Sequence, residues 1–134
     1  MVDILIEFRD EQTGCALVID DDGRVAYAYL RGADGAIVAD VWLYNRCPAP
    51  AEPEWNARPA GPMANPQGFV RTDLQIMLPE SEADFAIDWQ LQSASDPKVI
   101  IYLRDEVWAT MAPGTRPGFC RLAKMDGPLA RLLS

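Results

Sequence analysis

Two Asp-Gly pairs, Asp22-Gly23 and Asp34-Gly35, punctuate the stretch from Cys15 to Asn45 and constrain this chain more than any other feature. Each pair sits between runs rich in β-branched and aromatic residues, and Asp-Gly supplies the positive φ angles that two-residue type I′ hairpin turns demand. The stretch therefore reads as a three-stranded β-meander. Tight turns at both pairs set Ile19 opposite Ala26 and Leu17 opposite Ala28 in the first hairpin. In the second they set Ala28 opposite Val41 and Tyr29 opposite Asp40; a four-residue loop, Gly32 to Gly35, would shift the partners but keep the same faces.

Side chains on a strand alternate between faces. One face of the meander collects Cys15, Leu17, Ile19, Ala26, Ala28, Leu30, Ile37, Ala39, Val41 and Leu43, and reads as core. The other collects Ala16, Val18, Tyr27, Tyr29, Arg31, Val38, Asp40, Trp42 and Tyr44. That second face is aromatic with scattered charge, fit either to meet another layer or to bind.

The pattern of short strands continues around the meander. Before it, Asp3 to Arg9 alternates, with Ile4, Ile6 and Phe8 inward. After it, strands are expected over Phe69–Leu78, Asp84–Gln92, Lys98–Arg104 and Phe119–Met125. Asp84–Gln92 is the cleanest, with Phe85, Ile87, Trp89 and Leu91 on one side. Val107–Met111 either prolongs its predecessor past a bulge or returns from it as a hairpin. Asp126 can cap a short helix over residues 126–134, with Pro128 in its first turn. The chain reads as all-β: a single domain over residues 1–134, an antiparallel β-sandwich or flattened barrel of about 8 strands.

Residues 46–68 break the alternation. Six of the eleven prolines fall there, and proline removes backbone donors, so the segment is expected to be a long loop. It is either a strap over the sheet or a recognition loop, with Trp55 at its centre.

Composition narrows the chemistry. There is no histidine, which excludes Ser-His-Asp and Cys-His catalysis and the usual zinc sites. Three cysteines, Cys15, Cys47 and Cys120, cannot all pair within one chain, and no CxxC occurs. Reduced thiols and a cytoplasmic setting are expected, with Cys15 buried. The Asp20-Asp21-Asp22-Gly23 run lacks the alternating acids and closing glutamate of a calcium loop and reads as a charged turn. Asp84 and Asp88 stand about 13 Å apart on one strand, beyond the spacing of a glycosidase pair. No catalytic residues, metal or cofactor are therefore assigned, and a non-enzymatic role is expected.

The net charge is −8, with 19 acids against 8 bases before Gly114 and the balance reversed after it. An acidic field repels phosphate backbones, so nucleic acid is not an expected partner, and no apolar run suits a membrane helix. A basic protein is the natural complement. The expected contacts are Tyr29, Asp40 and Trp42 on the outer face of the meander and Glu52, Glu54 and Trp55 on the proline-rich loop. The alternative is a small-ligand or carbohydrate binder that stacks its ligand on the same aromatic face.

Overall fold

The computed structural model describes residues 4–46, 67–71, 77–91, 97–115, 117–127 and 129–133. They form nine strands in two sheets. The first sheet is an antiparallel meander of β1 (Ile4–Arg9), β2 (Ala16–Asp21), β3 (Val25–Arg31) and β4 (Ile37–Asn45), in that order. The second is ordered β5 (Phe85–Leu91), β6 (Pro97–Leu103), β7 (Glu106–Met111), β8 (Phe119–Cys120) and β9 (Arg131–Leu132). Among the described residues the only helical pieces are two 3₁₀ turns, Gln67–Phe69 and Glu82–Asp84, and no helix is long and apolar enough to cross a membrane. Residues 47–66, including Cys47, Glu52, Glu54 and Trp55, lie outside the described residues, as do residues 72–76 of the expected Phe69–Leu78 strand.

The second hairpin has the expected partners, Ala28 opposite Val41 and Tyr29 opposite Asp40, but not the expected two-residue turn. Gly35 N donates to Gly32 O, and a register shift between Leu30 and Arg31 brings the strands back to those partners. The first hairpin does not have the expected partners. Ile19 faces Ala28 and Leu17 faces Leu30, because the turn is centred one residue later, on Gly23-Arg24. Gly23 takes a φ of 91° as the first central residue, and Asp22 Oδ1 accepts the Arg24 and Val25 amides at 2.9 and 3.1 Å. Moving a turn centre by one residue moves every partner by two, so the faces survive. Leu17, Ile19, Ala28, Leu30, Ala39 and Val41 are all buried. Ile37, expected inside, is 41% exposed; it lies at the edge of the loop, beyond a register shift between Leu30 and Arg31.

A β-bulge in β4 divides the aromatic face. Trp42 lies opposite Tyr27 and Tyr44 opposite Ala26, leaving Leu43 as the extra residue. One inserted residue inverts the alternation beyond it. Tyr44 therefore turns to the core side, beside Asp21, instead of joining Tyr27 and Tyr29. The displaced Leu43 carbonyl accepts from Trp108 Nε1 at 3.0 Å and from Cys120 Sγ at 3.3 Å, so residues of the second sheet satisfy it.

Trp42 is also corrected, from exposed contact to core. Its side chain is fully buried, and its Nε1 donates to Asn45 Oδ1 at 2.7 Å. The reason lies at the outer edge of β4, where the sequence shows nothing. Gly114 N donates to Val38 O, Asp40 N to Thr115 O, Gly118 N to Asp40 O and Trp42 N to Leu129 O. The segment after β7 and the C-terminal tail thus cover that edge. A Cβ on Gly118 would meet Thr110 O at 2.6 Å and Met111 Cβ at 2.9 Å, so this close approach requires glycine.

Val107–Met111 returns as a hairpin. Arg104 and Asp105 form its tight turn, with φ angles of 50° and 69°. The helix expected over 126–134 is replaced by a turn and β9, which pairs in parallel with β8. Asp126 does not cap neighbouring amides; its Oδ1 accepts from Leu132 N at 2.9 Å, and Arg131 N donates to Gly118 O at 2.8 Å. So short a helix is marginal in water, and long-range pairing outcompetes it. The Phe119–Met125 alternation also fails, since Leu122 and Ala123 are both buried.

Both sheets contribute to one apolar cluster, in which Leu17, Ile19 and Val41 of the first join Val99, Ile101 and Trp108 of the second. On β5 burial fades along the strand, from buried Phe85 through half-buried Ile87 and Trp89 to exposed Leu91.

Candidate interaction surface

The outer face of the meander is organised in cross-strand rows. Register places Leu5, Asp20, Tyr27 and Trp42 in one row, and Glu7, Val18, Tyr29 and Asp40 in the next. Trp42 closes its row from beneath the covered β4 edge. Tyr27 and Tyr29 remain half-buried and stack on one another, with ring centroids 6.2 Å apart and planes inclined by 27°. Leu5, at 73% exposed, lies at the open end of the Tyr27 row.

Burial raises the Tyr29 phenol above its ordinary value, and Asp20, Asp40 and Asp22 raise it further in that order. Three carboxylates therefore act on one ring, and a cation above it would be favoured by both the acids and the ring face. Of the residues expected to bind, Tyr29 and Asp40 are directly opposite one another, Trp42 is core, and Glu52, Glu54 and Trp55 lie outside the described residues. Tyr27, Asp20 and Glu7 were missed as members. Only the true register of the first hairpin brings Asp20 beside Tyr27.

The fourth member of the expected aromatic cluster does different work. Tyr44 OH donates to Asp21 Oδ2 at 2.6 Å, and Arg46 Nε donates to the same oxygen at 2.7 Å. Gly23 N donates to Asp21 Oδ1 at 3.0 Å. Burial, then the bond to Asp21, holds the Tyr44 phenol far above its ordinary value. Arg46 also lies over the Tyr44 ring at 5.4 Å and donates to the Pro79 carbonyl. Asp21 is wholly buried, and these donors occupy both of its oxygens. The cluster ties the β2–β3 turn to the end of β4.

Cys15 and Cys120 are buried free thiols, and burial pushes the Cys120 thiol up to about 12. Among the described residues no three His, Cys, Asp or Glu side chains converge as metal ligands. Comparison with protein-family models, with curated proteins and with solved structures returns no match.

Proposed function

We propose that this chain is a non-catalytic protein-interaction module, a cytoplasmic β-sandwich whose outer meander face receives a basic side chain from a protein partner. The observation that carries this reading is the Tyr27–Tyr29 stack lying in the field of Asp20, Asp22 and Asp40. An arginine or lysine over a tyrosine ring gains about 0.5–1 kcal/mol at an exposed site and more when desolvated. The carboxylates add attraction at long range and speed encounter. The acidic balance of the chain before Gly114 points the same way, and the buried reduced thiols suit a reducing compartment.

The test is a heteronuclear NMR titration with an acetylated, amidated Gly-Arg-Gly-Arg-Gly peptide. Saturable shifts should centre on Tyr27, Tyr29 and Asp40, weaken with added salt, and vanish in Tyr29→Ala. A neutral oligosaccharide that shifts the same signals without salt dependence would replace this reading with the sugar-binding one.

A further inference from the structure

The row of the outer face next to Glu7–Val18–Tyr29–Asp40 has a different character. Arg9 lies opposite Ala16, and Ala16 lies opposite Arg31. Two arginines thus leave the same face two strand spacings apart, roughly 10 Å, with only a methyl group between them. Ala16 is buried and forms the floor of a cleft of about 250 Å³ that also takes in Glu7, Gly14, Ala33 and Asp34. Gly14, at φ 77°, closes one end: a Cβ there would meet the Ala33 Cβ at 3.2 Å, so the turns after β1 and β3 touch.

The charges of this cleft are unevenly committed. Asp34 Oδ1 accepts the Ala36 amide at 3.0 Å within its own turn. Arg9 is paired with Glu7 at 2.7 Å, but both side chains are largely exposed, and such pairs exchange readily. Arg31 is exposed and makes no side-chain hydrogen bond or ion pair among the described residues. Among the described residues Arg31 is thus left without an acid partner over an open cleft, with a second arginine across from it.

We infer that the cleft between Arg9 and Arg31 is a carboxylate-binding site. A guanidinium presents a planar fork of donors that matches a carboxylate edge with two parallel hydrogen bonds. The lining sets two arginines against Glu7 and Asp34, so a carboxylate monoanion meets less repulsion there than a dianionic phosphate would. Arg31 takes the carboxylate first, and Arg9 exchanges Glu7 for its second oxygen. The site is the neighbouring row of the same face and shares Glu7 with the tyrosine row, but an anion held by guanidinium groups does not rest on the function proposed for the tyrosine pair.

The experiment is NMR titration with sodium acetate, sodium phosphate, and an acetylated tetraglycine peptide bearing either a free C-terminal carboxylate or an amide. Sodium chloride of matched ionic strength serves as the blank. Saturable shifts of the Arg31 Nε–H signal and of the Gly32–Gly35 amides are expected with acetate and the free-carboxylate peptide, and not with the amide. Arg31→Ala should weaken acetate binding by at least about tenfold, Arg31→Lys should weaken it less, and Arg9→Ala should fall between them. Lys124→Ala, an equal loss of charge outside the cleft, should change nothing. If the peptide carboxylate binds about tenfold tighter than acetate, the source is a protein chain end; equal affinity points to a free small acid. Shifts that chloride reproduces, that the amide peptide matches, or that survive Arg31→Ala would overturn the assignment, as would tighter binding of phosphate than of acetate.

Discussion

The Leu43 carbonyl, displaced by the bulge in β4, accepts a hydrogen bond from Trp108 Nε1 at 3.0 Å, and the two residues lie in different sheets. Trp108→Phe should therefore cost about 2–3 kcal/mol, through a partly orphaned buried carbonyl and a cavity where the indole stood. A shift of the urea midpoint measures it. Cys120→Ala removes only a weak donor to the same carbonyl and should cost less.

Asp21 is a buried carboxylate held by Tyr44 and Arg46. Tyr44→Phe keeps the ring and removes one charge-assisted bond, and should cost about 1.5–3 kcal/mol. Arg46→Met leaves the carboxylate without its countercharge and should cost more, about 3–5 kcal/mol. Equal losses in a denaturant titration would contradict the role of Arg46 as the countercharge.

Gly118 packs against backbone that cannot yield, with Thr110 O 2.6 Å from where a Cβ would stand. Gly118→Ala should destabilise by about 1–3 kcal/mol and loosen the cover on β4. Faster hydrogen exchange at the Asp40 and Trp42 amides would report that loosening directly.

Asp105 sits at a φ of 69° in the β6–β7 turn, where a side chain is strained. Asp105→Gly should raise stability by about 0.5–1 kcal/mol, visible as a higher melting temperature. Arg104→Gly should gain nothing comparable, because Arg104 also bonds the Leu78 carbonyl and Asp84 Oδ2.

The Cys120 thiol titrates at about 12 in the folded chain, against about 8.5 in an unfolded one. A group whose pKa folding raises contributes stability that is complete below the unfolded value and is lost as pH rises toward the folded one. The urea midpoint should thus fall between about pH 8.5 and 12, and fall less in Cys120→Ala. At neutral pH, Cys15 and Cys120 should resist alkylation until the protein is denatured.

Much of the first sheet was legible locally. Alternation assigned Leu17, Ile19, Ala28 and Val41 to the core, and Tyr29 stands opposite Asp40 as expected, although through a Gly32–Gly35 turn and a register shift and not a two-residue turn on Asp34-Gly35. The face assignment follows from period-two geometry, which needs only neighbouring residues. In the first hairpin, a turn on Asp22-Gly23 and one on Gly23-Arg24 bury the same side chains, so the hydrophobic pattern could not choose between them. Capping by Asp22 Oδ1 favoured the second, and that choice brought Asp20 beside Tyr27.

Tertiary structure decided the rest through long-range partners. Trp42, Leu43 and Tyr44 are apolar or aromatic in either phase, so nothing local marks Leu43 as the inserted residue. Trp108 and Cys120, distant in sequence, satisfy the carbonyl that the insertion exposes, and the bulge is stable on that account. Trp42 was lost to the site because Gly118 and Leu129 cover the β4 edge. Asp126 fits a helix cap by sequence, yet its carboxylate bonds the Leu132 amide, because pairing with β8 satisfies the tail's backbone better than an isolated turn of helix. Side-chain alternation is a property of one strand, whereas register, bulges and covered edges depend on which distant group meets each backbone donor and acceptor.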